Sequence, residues 1–328
     1  MRAALYRAEG PAHQVLQVTD LPTPKPGMGE VRVRMAYSAI NPTDIKGRSG
    51  QVPRPLGEFQ VPHMDGSGVI DAVGPDVPLE RVGERVWVYL AAHANMWGTA
   101  AQWAVVPADR ALPLPAESSL LLGACIGIPA MTAAECLLAD GSIDGRHVLV
   151  TGGAGAVGQM AIALGVFLGA DVIATASTEE KRRIASTAGA RAVIDYRASD
   201  AAKRITEASP RIDRIIDVAL ATNLLTDLEV SRVGTVIASY AIDGPDPVLP
   251  MRACMTAGIV LRFMLLYTVP PARKRELAAV VNDALIAQAL PLPPHTMYDL
   301  DDIVSAHEAM ESGPTGRIVI AIAPDLGS

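Results

Sequence analysis

Apolar and polar residues alternate with a period of two along much of the first third of the chain. In EVRVRMAYSAI (Glu30 to Ile40), Val31, Val33 and Met35 alternate with Arg32 and Arg34, as a half-buried strand requires. GSGVIDAVG (Gly66 to Gly74) and ERVWVYL (Glu84 to Leu90) stand between Pro and Gly turns. Residues up to about Leu120 therefore read as mainly β. Between Gly123 and Arg262 the rhythm becomes strand, helix, strand, helix: HVLVTG, VGQMAIALGVFLG, DVIATAS, EEKRRIASTAG and AVIDY, then IDRIIDVA and GTVIASY. Such alternation predicts a doubly wound parallel sheet with helices on both faces, an α/β architecture. The tail holds the helical patterns ARKRELAAVVNDALIAQAL and DDIVSAHEAMES and a last strand, GRIVIAIA. Because the first third has no helix long enough to close a domain, the tail is expected to fold back onto it. The expected domains are residues 1–122 with 267–328, and 123–266 as an insertion.

Composition narrows the class of partner. The 328 residues are about twice a typical domain, half are hydrophobic and 19% are charged, which fits a globular chain and excludes disorder. A net charge of -7 without a basic stripe argues against nucleic acid. The three cysteines, Cys125, Cys136 and Cys254, form no C-x-x-C spacing, so a reducing compartment, the cytoplasm, is expected. MRAALYRAEGP lacks the apolar core of a secretory signal. The apolar stretch Met160 to Ala176 contains Asp171 and a Gly-Ala-Asp turn, so it reads as helix then strand and no membrane partner is expected.

Gly153, Gly155 and Gly158 fit G-x-G-x-x-G between an apolar strand and an apolar helix starting near Val157. The first glycine is expected to permit the tight turn, the second to admit a pyrophosphate against the backbone, and the third to let helix and strand pack closely. In dinucleotide folds an acid about 20 residues on reads the adenosine ribose. Here that position is Ser177. An acid would repel a 2'-phosphate, whereas Ser177 can donate to it and Lys181, Arg182 or Arg183 can supply charge. The pattern favours NADP(H) over NAD. The plainer alternative is that TEEKRR is only a capped, solvated helix start.

With AYSAINPTDIKGRSG (Ala36 to Gly50), DGSGVIDAVG (Asp65 to Gly74), VGERVWV (Val82 to Val88), GTAAQWAVVPADRALPLP (Gly98 to Pro115) and IPAMTAAECL (Ile128 to Leu137), this ordered series resembles the medium-chain dehydrogenase/reductase superfamily. Within it the chain is most similar to the NADPH:quinone oxidoreductases of the zeta-crystallin-like branch. The resemblance covers nearly the whole chain. It implies a GroES-like β-barrel catalytic domain built from both chain ends, a Rossmann domain between them, an active site in the cleft, and a homodimer paired through GIVLRFMLL (Gly258 to Leu266). For that last segment an internal strand with one snorkelling arginine, Arg262, is the alternative.

Zinc-containing relatives carry a Cys before a Thr-Asp pair and a His-Glu pair before Gly-x-Gly. This chain has Asn41 before PTD and Met64-Asp65 in place of His-Glu, and only Cys125 falls near a ligand position. Asn and thioether are poor zinc donors, so a metal-free enzyme is expected. A slipped site of His63, Cys125 and Asp65 is the alternative, against a turn histidine and a buried thiol.

Without a Lewis acid, hydride transfer depends on holding the reacting atoms about 3–3.5 Å apart in a water-excluding cleft. The resemblance puts Asn41 and Thr132 near the nicotinamide, and Gly155, Ala156 and Val157, within the turn Gly153-Ala154-Gly155-Ala156-Val157-Gly158, on the pyrophosphate. It sets Tyr196 beside Ser177 and Lys181 at the 2'-phosphate, and Ser239 and Tyr240 along the adenine or nicotinamide, with strand-end packing as the alternative. Phe263 to Leu265 and Arg317 match positions that close over the cofactor, unless Phe263 is core and Arg317 solvated. Where the branch often has a tyrosine this chain has Lys46, which can donate to a reduced oxygen or be merely solvated. With Asn41 and Arg48 it completes the expected catalytic set, a cationic rim around an oxyanion. The substrate expected is a quinone. The alternatives are an enal, enone or enoyl thioester, or an NADPH-binding structural protein with little turnover.

Overall fold

Glu30–Ile40 is the most connected strand of the molecule. In the computed structural model, which describes residues 1–326 except Arg54 and Asp243, it pairs antiparallel with Asp65–Val73, Trp103–Pro107 and Arg317–Ala321. Arg85–Val88, Ala111–Pro113 and His295–Asp299 extend the same seven-stranded sheet. The alternation seen in the sequence has its cause here: Val31, Val33 and Met35 are fully buried against Ile70, Val86, Val88 and Val106. A second apolar cluster joins Leu5, Ile40 and Val61 to Ile303, Ala306, Ile318 and Ile320. The tail thus folds back onto the first third of the chain, and Arg317 comes with it.

The second unit is built on six strands in the order Ala192–Ile194, Asp171–Thr175, His147–Val150, Ile212–Asp217, Ser231–Ser239, Val260–Phe263, every pairing parallel. The earliest strand lies in the middle, so the strand order reverses beside it, where such sheets bind ligands at their carboxyl ends. Leu149, Ile173, Ile215 and Ile237 are buried in the sheet core, with Ile205, Leu220 and Leu224 packed on it from the helices. Val260–Phe263 is an edge strand.

Two compact units divide the chain, Met1–Ile128 with Leu292–Ser328, and Pro129–Pro291. The expected boundaries at 122/123 and 266/267 lie elsewhere for identifiable reasons. The Leu120–Leu138 helix runs through the first crossing without a break. The Pro271–Ile286 helix buries Leu277, Val281 and Leu285 in the second unit rather than returning to the first. The Leu120–Leu138 helix is also long and apolar enough to cross a bilayer, but 83% of its apolar window is buried inside the protein, as in a core helix.

Candidate functional site

At the carboxyl end of His147–Val150 the chain enters the glycine turn. The residue with left-handed backbone is Gly152, φ 64°, and not Gly153 as the motif suggested. Gly153 is instead a close-packing glycine: a Cβ there would stand 2.8 Å from the Ala174 methyl. At Gly158 a Cβ would stand 2.4 Å from the Gly152 carbonyl oxygen, so this glycine lets the helix start pack closely on the turn itself. Gly155 is exposed at the N-cap of the Ala156–Phe167 helix, and a Cβ there would meet only the Gly152 oxygen at 3.3 Å. The N–H groups of Ala156, Val157 and Gly158 have no acceptor among the described residues. Ala154 is buried and its carbonyl accepts from Gln159 Nε2 at 2.9 Å, which fixes the loop from within. Unbonded donors at a helix start suit a pyrophosphate.

A polar knot supports this turn from the neighbouring strand. Asp217, fully buried, accepts from Thr151 Oγ1 at 3.0 Å, from Asn223 Nδ2 at 2.8 Å and from the Ala219 N–H at 2.8 Å. Sequence reading did not single out Thr151, Asp217 or Asn223. A strand-ending Asp opposite a strand-ending Thr was the available signal.

At the end of Asp171–Thr175, Ser177 is half-buried, and its carbonyl oxygen accepts from Arg197 Nη2. Tyr196 is exposed. Lys181 lies in the first turn of the Glu179–Thr187 helix, its backbone N–H capped by Thr178 Oγ1 at 3.2 Å. Ser239 is buried and paired in register with Asp217 and Phe263, and the N–H of Tyr240 bonds the Asp217 carbonyl at 3.2 Å. Phe263 is 72% exposed and Leu265 53%, so neither belongs to the core. Thr132 is buried in the long helix.

The first unit assembles its candidates through strand register. Pairing Ile318 with Ile40 sets Arg317 beside Asn41, and pairing Ala39 with Asp65 brings the carboxylate alongside. Arg317 Nη1 donates to Asn41 Oδ1 at 2.8 Å, Nη2 donates to Asp65 Oδ2 at 3.3 Å, and Asn41 Nδ2 donates to the same oxygen at 2.8 Å. The other Asp65 oxygen accepts the Ile128 N–H at 2.8 Å, one residue before Pro129, which lies inside the continuous helix and has no N–H of its own. Burial pushes the Asp65 carboxyl up to about 6, against the pull of Arg317, Asn41 and Ile128. Burial likewise pushes the Cys125 thiol up to about 11, with Arg317 opposing. Arg317 is 2% exposed, so it is not a solvated strand residue, and its Nε has no partner among the described residues.

Behind this cluster runs a second buried chain. Ser38 Oγ lies 2.8 Å from His63 Nδ1 and 2.7 Å from Thr99 Oγ1, and Thr99 Oγ1 donates to the Asp65 carbonyl at 2.6 Å. His63 Nε2 is 2.9 Å from His307 Nε2, so one ring carries the proton and the other accepts it. Both His63 nitrogens are therefore engaged, His63 is fully buried with φ 78°, and it is neither a surface turn residue nor part of a slipped metal site. Among the described residues no group of three or more His, Cys, Asp or Glu could hold a metal ion. The donor set at Asn41 and Asp65 does not fit one, because a guanidinium already bridges it.

Arg48 is the clearest correction. It is 1% exposed and bonds the Gly10 carbonyl and the Glu311 carboxylate, so it ties the Pro42–Ser49 helix to the tail and forms no rim. Lys46, on the same helix, is half-buried and its ammonium has no partner among the described residues. The three cysteines are free thiols.

Two family models match this chain: the alcohol dehydrogenase GroES-like domain over residues 27–116 and the zinc-binding dehydrogenase model over residues 156–283. A quinone oxidoreductase of Sus scrofa is 29% identical over 324 residues, 97% of this chain and 96% of that protein. The native structure of a mycobacterial quinone oxidoreductase has a TM-score of 0.86 at 29% identity, covering 98% of this chain and 100% of that one. A mycobacterial structure complexed with NADPH has a TM-score of 0.84 at 28% identity over 98% and 100% of the two chains. With this fold, this glycine turn and these matches, the chain belongs to the medium-chain dehydrogenase/reductase superfamily of oxidoreductases.

Proposed function

We propose that this protein is an NADPH-dependent oxidoreductase that reduces a quinone or a similarly conjugated acceptor without a metal. The observation that carries the reading is the glycine turn at the strand-order reversal, with unbonded N–H groups on Ala156, Val157 and Gly158. Gly155 leaves room for a pyrophosphate against those donors, and for the adenosine side Ser177 follows the next strand, Lys181 lies in the helix after it and Tyr196 follows Ala192–Ile194. When bound, the reduced nicotinamide supplies the hydride. The chain's own residues bind and orient it: the turn by backbone donors, and Thr132, Ser239, Tyr240, Phe263 and Leu265 by contact.

A guanidinium between Asn41 and Asp65, where zinc-containing relatives carry ligands, supports the metal-free part of the reading. A quinone suits such a site because its reduced oxygen is delocalised and needs less protein help than a simple ketone's. Lys46, with its unpartnered ammonium, is assigned as the donor to that oxygen. The names of the relatives support the acceptor class.

The edge strand Val260–Phe263, flanked by exposed Val233, Met255 and Phe263, is the surface assigned to a homodimer. The test of the function is NADPH oxidation with 9,10-phenanthrenequinone, 1,4-benzoquinone, an enone and crotonyl-CoA. Quinone turnover above the other two is expected. Turnover of the enone or thioester alone would replace the reading, and tight NADPH binding with no turnover would make the protein a structural binder.

A further inference from the structure

Arg197 is a residue that neither the glycine motif nor the branch pattern singles out, yet its guanidinium lies on the carbonyl oxygen of Ser177, the ribose-reading position. It is held there by a fork: Nε donates to Asp195 Oδ1 at 3.1 Å and Nη2 to Asp195 Oδ2 at 3.1 Å. Its own backbone N–H also bonds Asp195 Oδ1, at 3.0 Å. Nη1 has no partner among the described residues, and the side chain is 57% exposed. The result is an arginine fixed at one end and open at the other.

Beside Glu179 and Glu180 in the first turn of the next helix, Asp195 is an acid that could instead read a ribose hydroxyl, the arrangement an NAD site needs. Its oxygens are already taken. Oδ1 accepts from the Arg197 N–H and Nε, and Oδ2 accepts from Arg197 Nη2 and from Arg182 Nη1 at 3.2 Å. One carboxylate thus faces two guanidiniums, and neither of its oxygens is left open to a ribose hydroxyl. Lys181, by contrast, carries a point charge on a flexible stem, with no side-chain partner among the described residues to orient it.

We infer that Arg197, oriented by Asp195 and the Ser177 carbonyl, is the principal ligand of the adenosine 2'-phosphate and sets the preference for NADPH over NADH. The inference rests on the dinucleotide reading above and names the specificity-determining residue within it. A planar fork that is already ordered loses little side-chain freedom on meeting a phosphomonoester. No existing hydrogen bond of Arg197 need break, because Nη1 is the free group.

The test separates the adenosine end from catalysis by titrating 2',5'-ADP, 5'-AMP and orthophosphate into wild type, Arg197→Gln, Arg197→Lys and Lys181→Gln. Wild type is expected to bind 2',5'-ADP more tightly than 5'-AMP. Arg197→Gln should weaken 2',5'-ADP about 10- to 100-fold, the size of one charged hydrogen-bond pair, with 5'-AMP changed less than about twofold. Arg197→Lys should recover part of that loss, and Lys181→Gln should cost less than Arg197→Gln. The inference is overturned if Arg197→Gln leaves 2',5'-ADP binding unchanged, if it weakens both nucleotides equally, or if orthophosphate displaces 2',5'-ADP at comparable concentration. Failure of wild type to distinguish the two nucleotides would instead bring down the NADPH reading itself. Arg197 is exposed, so the variants should keep the wild-type melting temperature, which identifies any loss by unfolding.

Discussion

The two ends of the candidate machinery handle charge in opposite ways. In the second unit the groups proposed to hold the anion are unbonded backbone N–H donors at a helix start, two of them partly exposed, and a half-exposed guanidinium. In the first unit the charged groups are side chains at 0–2% exposure, Asp65 and Arg317, already paired with each other and with Asn41. An open backbone site leaves its donors unmet until a ligand arrives. A buried side-chain site must satisfy itself, since an isolated internal charge costs several kcal/mol. The first arrangement is therefore suited to binding, and the second to holding geometry.

Steric substitution in the turn should break the comparison most severely. A Cβ at Gly158 would press on the Gly152 oxygen at 2.4 Å and the Gly153 Cα at 3.0 Å, neither of which can move aside. Gly158→Val should cost about 3 kcal/mol, the upper end of ordinary overpacking, and abolish NADPH binding in a fluorescence titration. A similar penalty is expected from Arg317→Met, by a different route. It leaves Asp65 buried without its cation, and breaking such a pair costs about 3–5 kcal/mol. Urea unfolding measures it. Adding Asp65→Asn to Arg317→Met should recover part of the loss, whereas simple loss of packing would not respond.

Legibility of the sequence follows the same division. Strands such as Glu30–Ile40 and the alternating elements from His147 onward could be read because burial on one face imposes a period on the chain. The glycine turn was legible because backbone approach admits only glycine, although the tight-turn position itself, Gly152, lay one residue outside the motif. The Asn41–Asp65–Arg317 cluster was not. Its partners are 276 and 252 residues apart, and only strand register brings them together. Arg48 was misplaced for the same reason: a basic residue in GRSG reads as surface until Gly10 and Glu311 are known to surround it. The long helix Leu120–Leu138 showed no periodicity because nearly all of it is buried.

Acid should expose the buried side more than the open one. Burial lowers the His63 and His307 pKa values, His307 to about 3, with His307 and then Arg317 adding to it on His63 and Arg48 on His307. The unfolded chain takes up these protons near the ordinary histidine value and the folded chain does not. Stability is therefore full above about pH 6.5 and falls as the pH drops toward 3, by at most about 1.4 kcal/mol per unit for each ring. His307→Gln should flatten that slope by about half between pH 6.5 and 5 in urea unfolding.

A further effect concerns Asp227, a buried acid next to Asp217. Burial, then the Asp217 charge, pushes its carboxyl up to about 8, and Asp227 Oδ2 has no partner among the described residues. A raised carboxyl contributes its full stability below the unfolded value near 4 and loses it as pH rises to 8. Asp227→Asn should raise stability at pH 8 and change it little at pH 4. An equal effect at both pH values would assign the change to packing.

The most direct measurement for the whole account is the rate of NADPH oxidation with 9,10-phenanthrenequinone after exhaustive dialysis against a metal chelator. The account predicts an undiminished rate, higher with NADPH than with NADH. A rate that collapses on dialysis and returns with zinc would contradict it.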